Sequence, residues 1–169
     1  MGLLVLGIDP GTRSVGYGLV RMEGGRCSAV DHGFFRVDHK LHFPHRLKQI
    51  HGFVSDLLDK HHPNVLAVEE VYVSQNAKTT LRLGHARGVI LLAAVEKGIP
   101  VAEYAPREVK QAVLGSGGAS KDQVQWMMAQ MLRIPAEGLQ EDAADGLAVA
   151  LCHGLRESGC HAQLERRKA

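Results

Sequence analysis

Cysteine is scarce in this 169-residue chain: Cys27, Cys152 and Cys160 are odd in number and share no CxxC spacing. That argues against a secreted disulfide scaffold and for a reducing cytoplasm. Long apolar runs are also missing. None approaches the roughly 20 residues that cross a bilayer, so no membrane span is expected. The opening MGLLVLGID is too short and too uncharged at its start for a secretory leader and reads instead as a first strand. Charge of one sign is lacking too. A net +2 does not demand a nucleic-acid partner, although acidic clusters would hide basic patches in the sum. There is no internal repeat and no domain linker. The length suits one domain, expected over residues 1–157, with 158–169 a polar, disordered tail.

What is present is a globular pattern. Hydrophobic residues make up 45% of the chain, and a chain this size can bury about 70% of its unfolded surface. Three strands are expected first, over residues 3–9, 15–22 and 27–37, the last two joined by a turn at Gly24-Gly25. Leu47, Ile50, Val54, Leu57 and Leu58 then recur at helical spacing, which predicts a helix over 44–61. Val65–Glu69 is a near-continuous apolar run, as in a central strand covered on both faces. A long helix (76–97), a short strand (100–104) and helices over 106–114, 121–133 and 141–157 complete the order. Strands first, then alternating helix and strand, imply an α/β fold with a mixed sheet flanked by helices.

Against this background four carboxylates stand out. Asp9 ends the first strand, Glu69 ends the central one, and Asp142 and Asp145 lie three apart in the last helix, on one helical face. Helix capping would account for Asp142, but Asp145 sits too far into the helix for that. Glu69 rather than Glu70 is expected to point inward, because it continues the face of Ala67. Charges of one sign at about 4 Å repel by roughly 4 kcal/mol at an effective dielectric near 20. A divalent cation would remove that repulsion. All-oxygen sites suit Mg²⁺ or Mn²⁺, and a pair of such ions is a common device for cutting phosphodiesters.

Other motifs have ordinary readings. DPGT at residues 9–12 also opens the phosphate site of sugar kinases and actin-like ATPases, but those need a second, similar half that is absent. GSGGASK at 115–121 lacks the second glycine of a P-loop and has Asp122 where Ser or Thr should stand, so it reads as a mobile loop able to touch phosphate. His39, His42 and His45, like His61-His62, read as solvent-exposed histidines rather than zinc ligands. Trp126, Met127, Met128 and Met131 read as core. Gly84 and Gly88 form a small-xxx-small step that could pack on the sheet or on a partner subunit. Lys78, Arg82, Lys110 and Lys121 belong to a scattered basic series that could line a phosphate track. Tyr72 could stack on a base or anchor a loop.

Three strands, a helix, a strand carrying Glu and a late helix with DAAD together resemble the RNase H-like nuclease superfamily, whose sheet is mixed and five-stranded. Within it, GIDPGTRSVGYG, AVEEVYVSQNAKTTLRLGHARGV, EYAPREVKQAVLGSGGASKDQVQ and DAADGLAVA are similar to the RuvC family of bacterial Holliday junction resolvases. The resemblance implies a homodimeric, cytoplasmic endonuclease that makes paired nicks in four-way DNA junctions during recombination and repair and works with the RuvA–RuvB branch-migration complex. It implies that Asp9, Glu69, Asp142 and Asp145 are the catalytic, metal-binding acids, holding two Mg²⁺ or Mn²⁺ ions. It also implies that Lys110 and Lys121 contact DNA and that Tyr72 stands at an aromatic position, usually Phe, linked to junction engagement. Glu70 stands where Gln is expected. The histidine-rich stretch at 39–45 has no counterpart in the resemblance. A binding module without catalysis, and a related hydrolase acting on structured RNA, are the other readings.

Overall fold

A computed structural model describes residues 2–71, 76–115, 117–118 and 120–158. Tyr72 and the tail from 159 onward lie outside the described residues. The elements are β1 (Leu3–Asp9), β2 (Ser14–Glu23), β3 (Arg26–Arg36), α1 (Phe43–His61), β4 (Val65–Glu69), α2 (Ala77–Glu96), β5 (Val101–Tyr104), α3 (Pro106–Leu114), α4 (Lys121–Leu132) and α5 (Glu141–Glu157). Every expected element is found, with ends moved by a residue at most. The boundaries have local causes. Pro44 opens α1, the Asn76 side chain accepts from Thr79 N at the start of α2, and Ser120 with Gln123 forms a capping box on α4. Gly115 ends α3 in the left-handed region at φ 69°.

The sheet has the order β3-β2-β1-β4-β5. β1, β2 and β3 are antiparallel neighbours, whereas β1, β4 and β5 run parallel. Side-chain alternation divides the central strands between two cores. Leu4, Leu6 and Ile8 of β1 and Leu66 and Val68 of β4 meet α1 and α2 on one face. Val5 and Ala67 meet α3, α4 and α5 on the other. Asp9 and Glu69 continue the second set, so both side chains leave the sheet on the α5 face.

Two expectations change. Trp126 is 59% exposed rather than core. The buried stripe of α4 is Val124, Met128 and Leu132, spaced by four, and Trp126 stands half a turn away from it. His61 is not freely solvated: its side chain is 12% exposed and its Nε2 lies 3.0 Å from Asp31 Oδ2. Among the described residues, no helix is long and apolar enough to cross a membrane.

Candidate active site

The parallel pairing of β1 with β4 sets the first two carboxylates side by side. Gly7 pairs with Ala67 and Ile8 with Val68, so the next step along each strand is Asp9 and Glu69. The third and fourth arrive because α5 lies unusually close to the sheet. A Cβ on Gly7 would stand 2.2 Å from the Gly146 carbonyl oxygen, and one on Gly16 would stand 1.9 Å from that of Asp142. Only glycine admits that approach. Gly16 is also the antiparallel partner of Asp9, so the seat for Asp142 adjoins Asp9 directly. Asp145 follows one turn later on the same helix.

Asp9, Glu69 and Asp145 line a cavity of about 220 Å³ together with Lys110 from α3 and Lys121 from α4. Val109, Val124 and Ala148 form its apolar floor. Asp142 stands at the edge: its Oδ2 accepts a 2.5 Å hydrogen bond from Ser14 Oγ at the start of β2. Lys121 Nζ forms an ion pair with Glu141 and lies 3.9 Å from Asp145 Oδ2. Glu70 is exposed on the other side of β4 and lines a groove beside α2. Lys78 and Arg82 are exposed on α2, outside the cavity. The role of Ser14 was not legible in sequence, since nothing local marks a serine as the partner of a residue 128 positions away.

The electrostatics are those of a crowded acidic site. Asp9 is pushed well above the ordinary carboxylate range, first by burial, then by the charges of Glu69, Asp145 and Asp142, with Lys121 opposing. Burial, then Asp145, raise Glu69 to about 7 against the pull of Lys110 and Lys121. Burial raises Asp145 to about 6, with Lys121 opposing. Lys121 itself is raised, chiefly by its hydrogen bond to Glu141.

Among the described residues no group of three His, Cys, Asp or Glu is arranged to hold a metal ion as it stands. Asp142 is tied to Ser14, and Lys121 already serves part of the negative charge. The donor set nevertheless fits a hard divalent cation: carboxylate oxygen only, from rigid strand ends and one helix, with the proton affinities of Asp9, Glu69 and Asp145 raised by burial first and by neighbouring acids second.

Comparison with known proteins gives a consistent answer. Residues 5–153 match the family model described as crossover junction endodeoxyribonuclease RuvC. The chain is 50% identical over 149 residues to the crossover junction endodeoxyribonuclease RuvC of Pelobacter propionicus, covering 88% of this chain and 84% of that one. It is 46% identical over 151 residues to the protein of the same name from Citrifermentans bemidjiense, covering 89% and 92%. The structure superposes on Thermus thermophilus RuvC in complex with a Holliday junction substrate with a TM-score of 0.86 and 31% identity, over 94% and 97% of the two chains.

Proposed function

We propose, since this chain belongs to the RuvC family of crossover junction endodeoxyribonucleases, that it resolves four-way DNA junctions by paired symmetric nicks. The ends are a 5′-phosphate and a 3′-hydroxyl, and the setting is recombination and repair in a bacterial cytoplasm, alongside RuvA and RuvB. The observation that carries the reading is the convergence of Asp9, Glu69 and Asp145 on one cavity that Lys110 and Lys121 also line.

The four carboxylates, Asp142 included, are the groups that would hold Mg²⁺ or Mn²⁺, two ions per site. Bound there, the ions would supply Lewis acidity to the attacking water and the leaving 3′ oxygen. The protein's own residues do the rest. Asp9 and Glu69 are fixed by strand register and so cannot spread apart to relieve their repulsion. Lys110 and Lys121 offset the charge of the scissile phosphate and set the strand's position over the acids. The valine and alanine floor keeps one side of the cavity dry, which strengthens each of these interactions. Lys78 and Arg82, outside the cavity, and Tyr72 extend the contact to the junction arms and its centre.

The homodimer is supported by α2. Its inner side is core, through Ala86, Ile90, Ala93 and Ala94. Its outer side is apolar as well: Leu81, Leu92 and Val95 are 64, 50 and 68% exposed, and nothing stands within 4 Å of a Cβ built on Gly84 or Gly88. An exposed apolar stripe of this kind, opposite the buried one, marks a surface that a partner covers. A second copy of α2 crossing at the glycines would cover it with C₂ symmetry, which suits a junction with two equivalent strands. Residues 1–157 act as a single nuclease domain.

The test is strand cleavage of a synthetic immobile junction carrying several candidate sequences, beside linear duplex and RNA–DNA hybrid, in Mg²⁺, Mn²⁺ and EDTA. Symmetric, metal-dependent nicks confined to the junction are expected. Binding without cleavage in any metal would favour a binding module, and cleavage of duplex or hybrid would move the substrate elsewhere in the superfamily.

A further inference from the structure

The histidine-rich segment at 39–45 leads into a cluster that the catalytic reading does not use. Phe43, the first residue of α1, is half-buried, and three side chains gather on its ring. The guanidinium carbon of Arg46 lies 6.0 Å from the ring centroid and that of Arg82, from α2, lies 5.4 Å from it. The His85 ring meets it edge-on at 5.9 Å.

Two guanidinium groups drawn to one aromatic ring are like charges brought together. Several other cations are matched: Arg87 with Glu103, Arg156 with Glu108, Lys97 with Asp59, Lys60 with Asp31. Among the described residues, Arg46, Arg82 and Lys78 form no ion pair with any acid. Glu70 lines the neighbouring groove without pairing with them. Arg46 has one nitrogen donating to the Thr12 carbonyl oxygen, and its Nε is buried without a hydrogen-bond partner. Stacking on Phe43 restrains the exposed Arg82 guanidinium with its N–H edge free, the arrangement that favours planar, bidentate contact with an anion, and leaves Arg46 the one nitrogen that is neither turned to Thr12 nor buried.

Position narrows the anion. Thr12, which Arg46 holds, is three residues past Asp9, so no more than about 11 Å of extended chain separates them. Lys78 stands one helical turn before Arg82 and prolongs the same row of charge. From these observations we infer that Phe43, Arg46 and Arg82 form a second phosphate-contact site, which takes the phosphodiester backbone of a DNA arm a few nucleotides from the cut. Phe43 is a rigid platform and the two arginines are the contacts. The site rests on the reading of this protein as a junction nuclease, and extends its footprint from the cavity across the α1–α2 side.

The test is equilibrium binding of a labelled junction, and of a duplex of equal length, in EDTA between 50 and 200 mM salt. Wild type is compared with Arg46→Gln/Arg82→Gln and with Arg46→Lys/Arg82→Lys. Each phosphate contact contributes about 0.9 to the slope of log affinity against log salt. The glutamine pair is therefore expected to lower the slope by about two, so that its affinity deficit shrinks about tenfold across this range. The lysine pair should retain the slope. A glutamine pair with wild-type slope and affinity would overturn the site. If Arg46→Gln fails to fold by circular dichroism, Arg82→Gln alone decides, with an expected loss of about one. Equal binding of junction and duplex by wild type would sink the resolvase reading, while the slopes on duplex would still decide this site. Wild type that binds neither DNA would overturn both.

Discussion

The two faces of the sheet are built on opposite plans. On one face α5 is almost wholly enclosed: twelve of its seventeen residues are buried, and glycines in β1 and β2 let its backbone rest on the strands. On the other, α2 buries only four of twenty residues and keeps an apolar outer side. The first face carries the acids, the second the open groove and the guanidinium cluster. A site that must hold repelling carboxylates needs a frame that cannot relax, and close backbone packing supplies it. A surface that must meet a partner or a long nucleic acid needs side chains left uncovered. Rigidity and availability are thus divided between the faces, with Asp9 and Glu69 at the rim between them.

The sharpest way to break this contrast is at the acids. Asp142→Asn and Asp9→Asn are each expected to lower junction cleavage by about 10³-fold or more while junction affinity is kept, since several kcal/mol of transition-state stabilisation would be lost. Retained cleavage would remove the residue from the catalytic set. Next is the frame. Gly7→Ala places a methyl group into Gly146 and Ala150, an overpacking that costs about 1–3 kcal/mol. A melting temperature lowered by about 2–4 °C per kcal/mol is expected. The equivalent change on the open face, Gly88→Ala, meets nothing within 4 Å and should leave the melting temperature of the monomer unchanged or slightly raised. Equal effects at the two glycines would show that the faces do not differ as described.

A third prediction concerns pH in metal-free protein. Glu69 is raised from 4.5 to about 7 in the folded state, and Asp145 is raised to about 6. Between the unfolded and folded values the native state binds more protons than the unfolded chain, so stability is greatest below about pH 4.5 for this contribution and is lost as pH rises through 7. Thermal melts in EDTA should therefore fall from pH 5 to pH 8, and Mg²⁺ at pH 8 should restore part of the loss. Melts independent of pH would mean that burial and neighbouring charge do not raise Glu69 and Asp145 in the folded state. The open face offers a fourth test. Leu92→Asp on the outer side of α2 should shift the protein toward monomer in analytical ultracentrifugation, with the melting temperature of the monomer little altered. A dimer of undiminished affinity would place the subunit contact elsewhere. The smallest effect is expected at Lys121→Ala, which should reduce the salt slope of junction binding by about one phosphate. An unchanged slope would remove Lys121 from the contacts.

Much of the enclosed face is legible in the amino-acid sequence alone. Glu69 follows Ala67 by two residues and so shares its side of a strand, and Asp142 and Asp145 share a helical face at a spacing of three. What is not legible there is the company these residues keep. Ser14 as the partner of Asp142 depends on how α5 crosses β2. The open face is less legible still. Trp126 has the composition of a core residue and lies outside the buried stripe, and Gly84 and Gly88 allow two packings between which nothing local chooses. Phe43 gathers arginines from two helices that are far apart along the chain.

By itself the sequence determined the elements and the facing of residues within each, because hydrophobic period, proline, glycine and capping side chains act over a few residues. It also determined that four carboxylates would end up at strand ends and on one helix. Only the tertiary structure decided that Asp9, Glu69 and Asp145 share one cavity, that Lys110 and Lys121 line it, and that two arginines meet on Phe43. Those outcomes depend on strand order and on how closely a helix can approach a sheet, which packing fixes between residues dozens to more than a hundred positions apart.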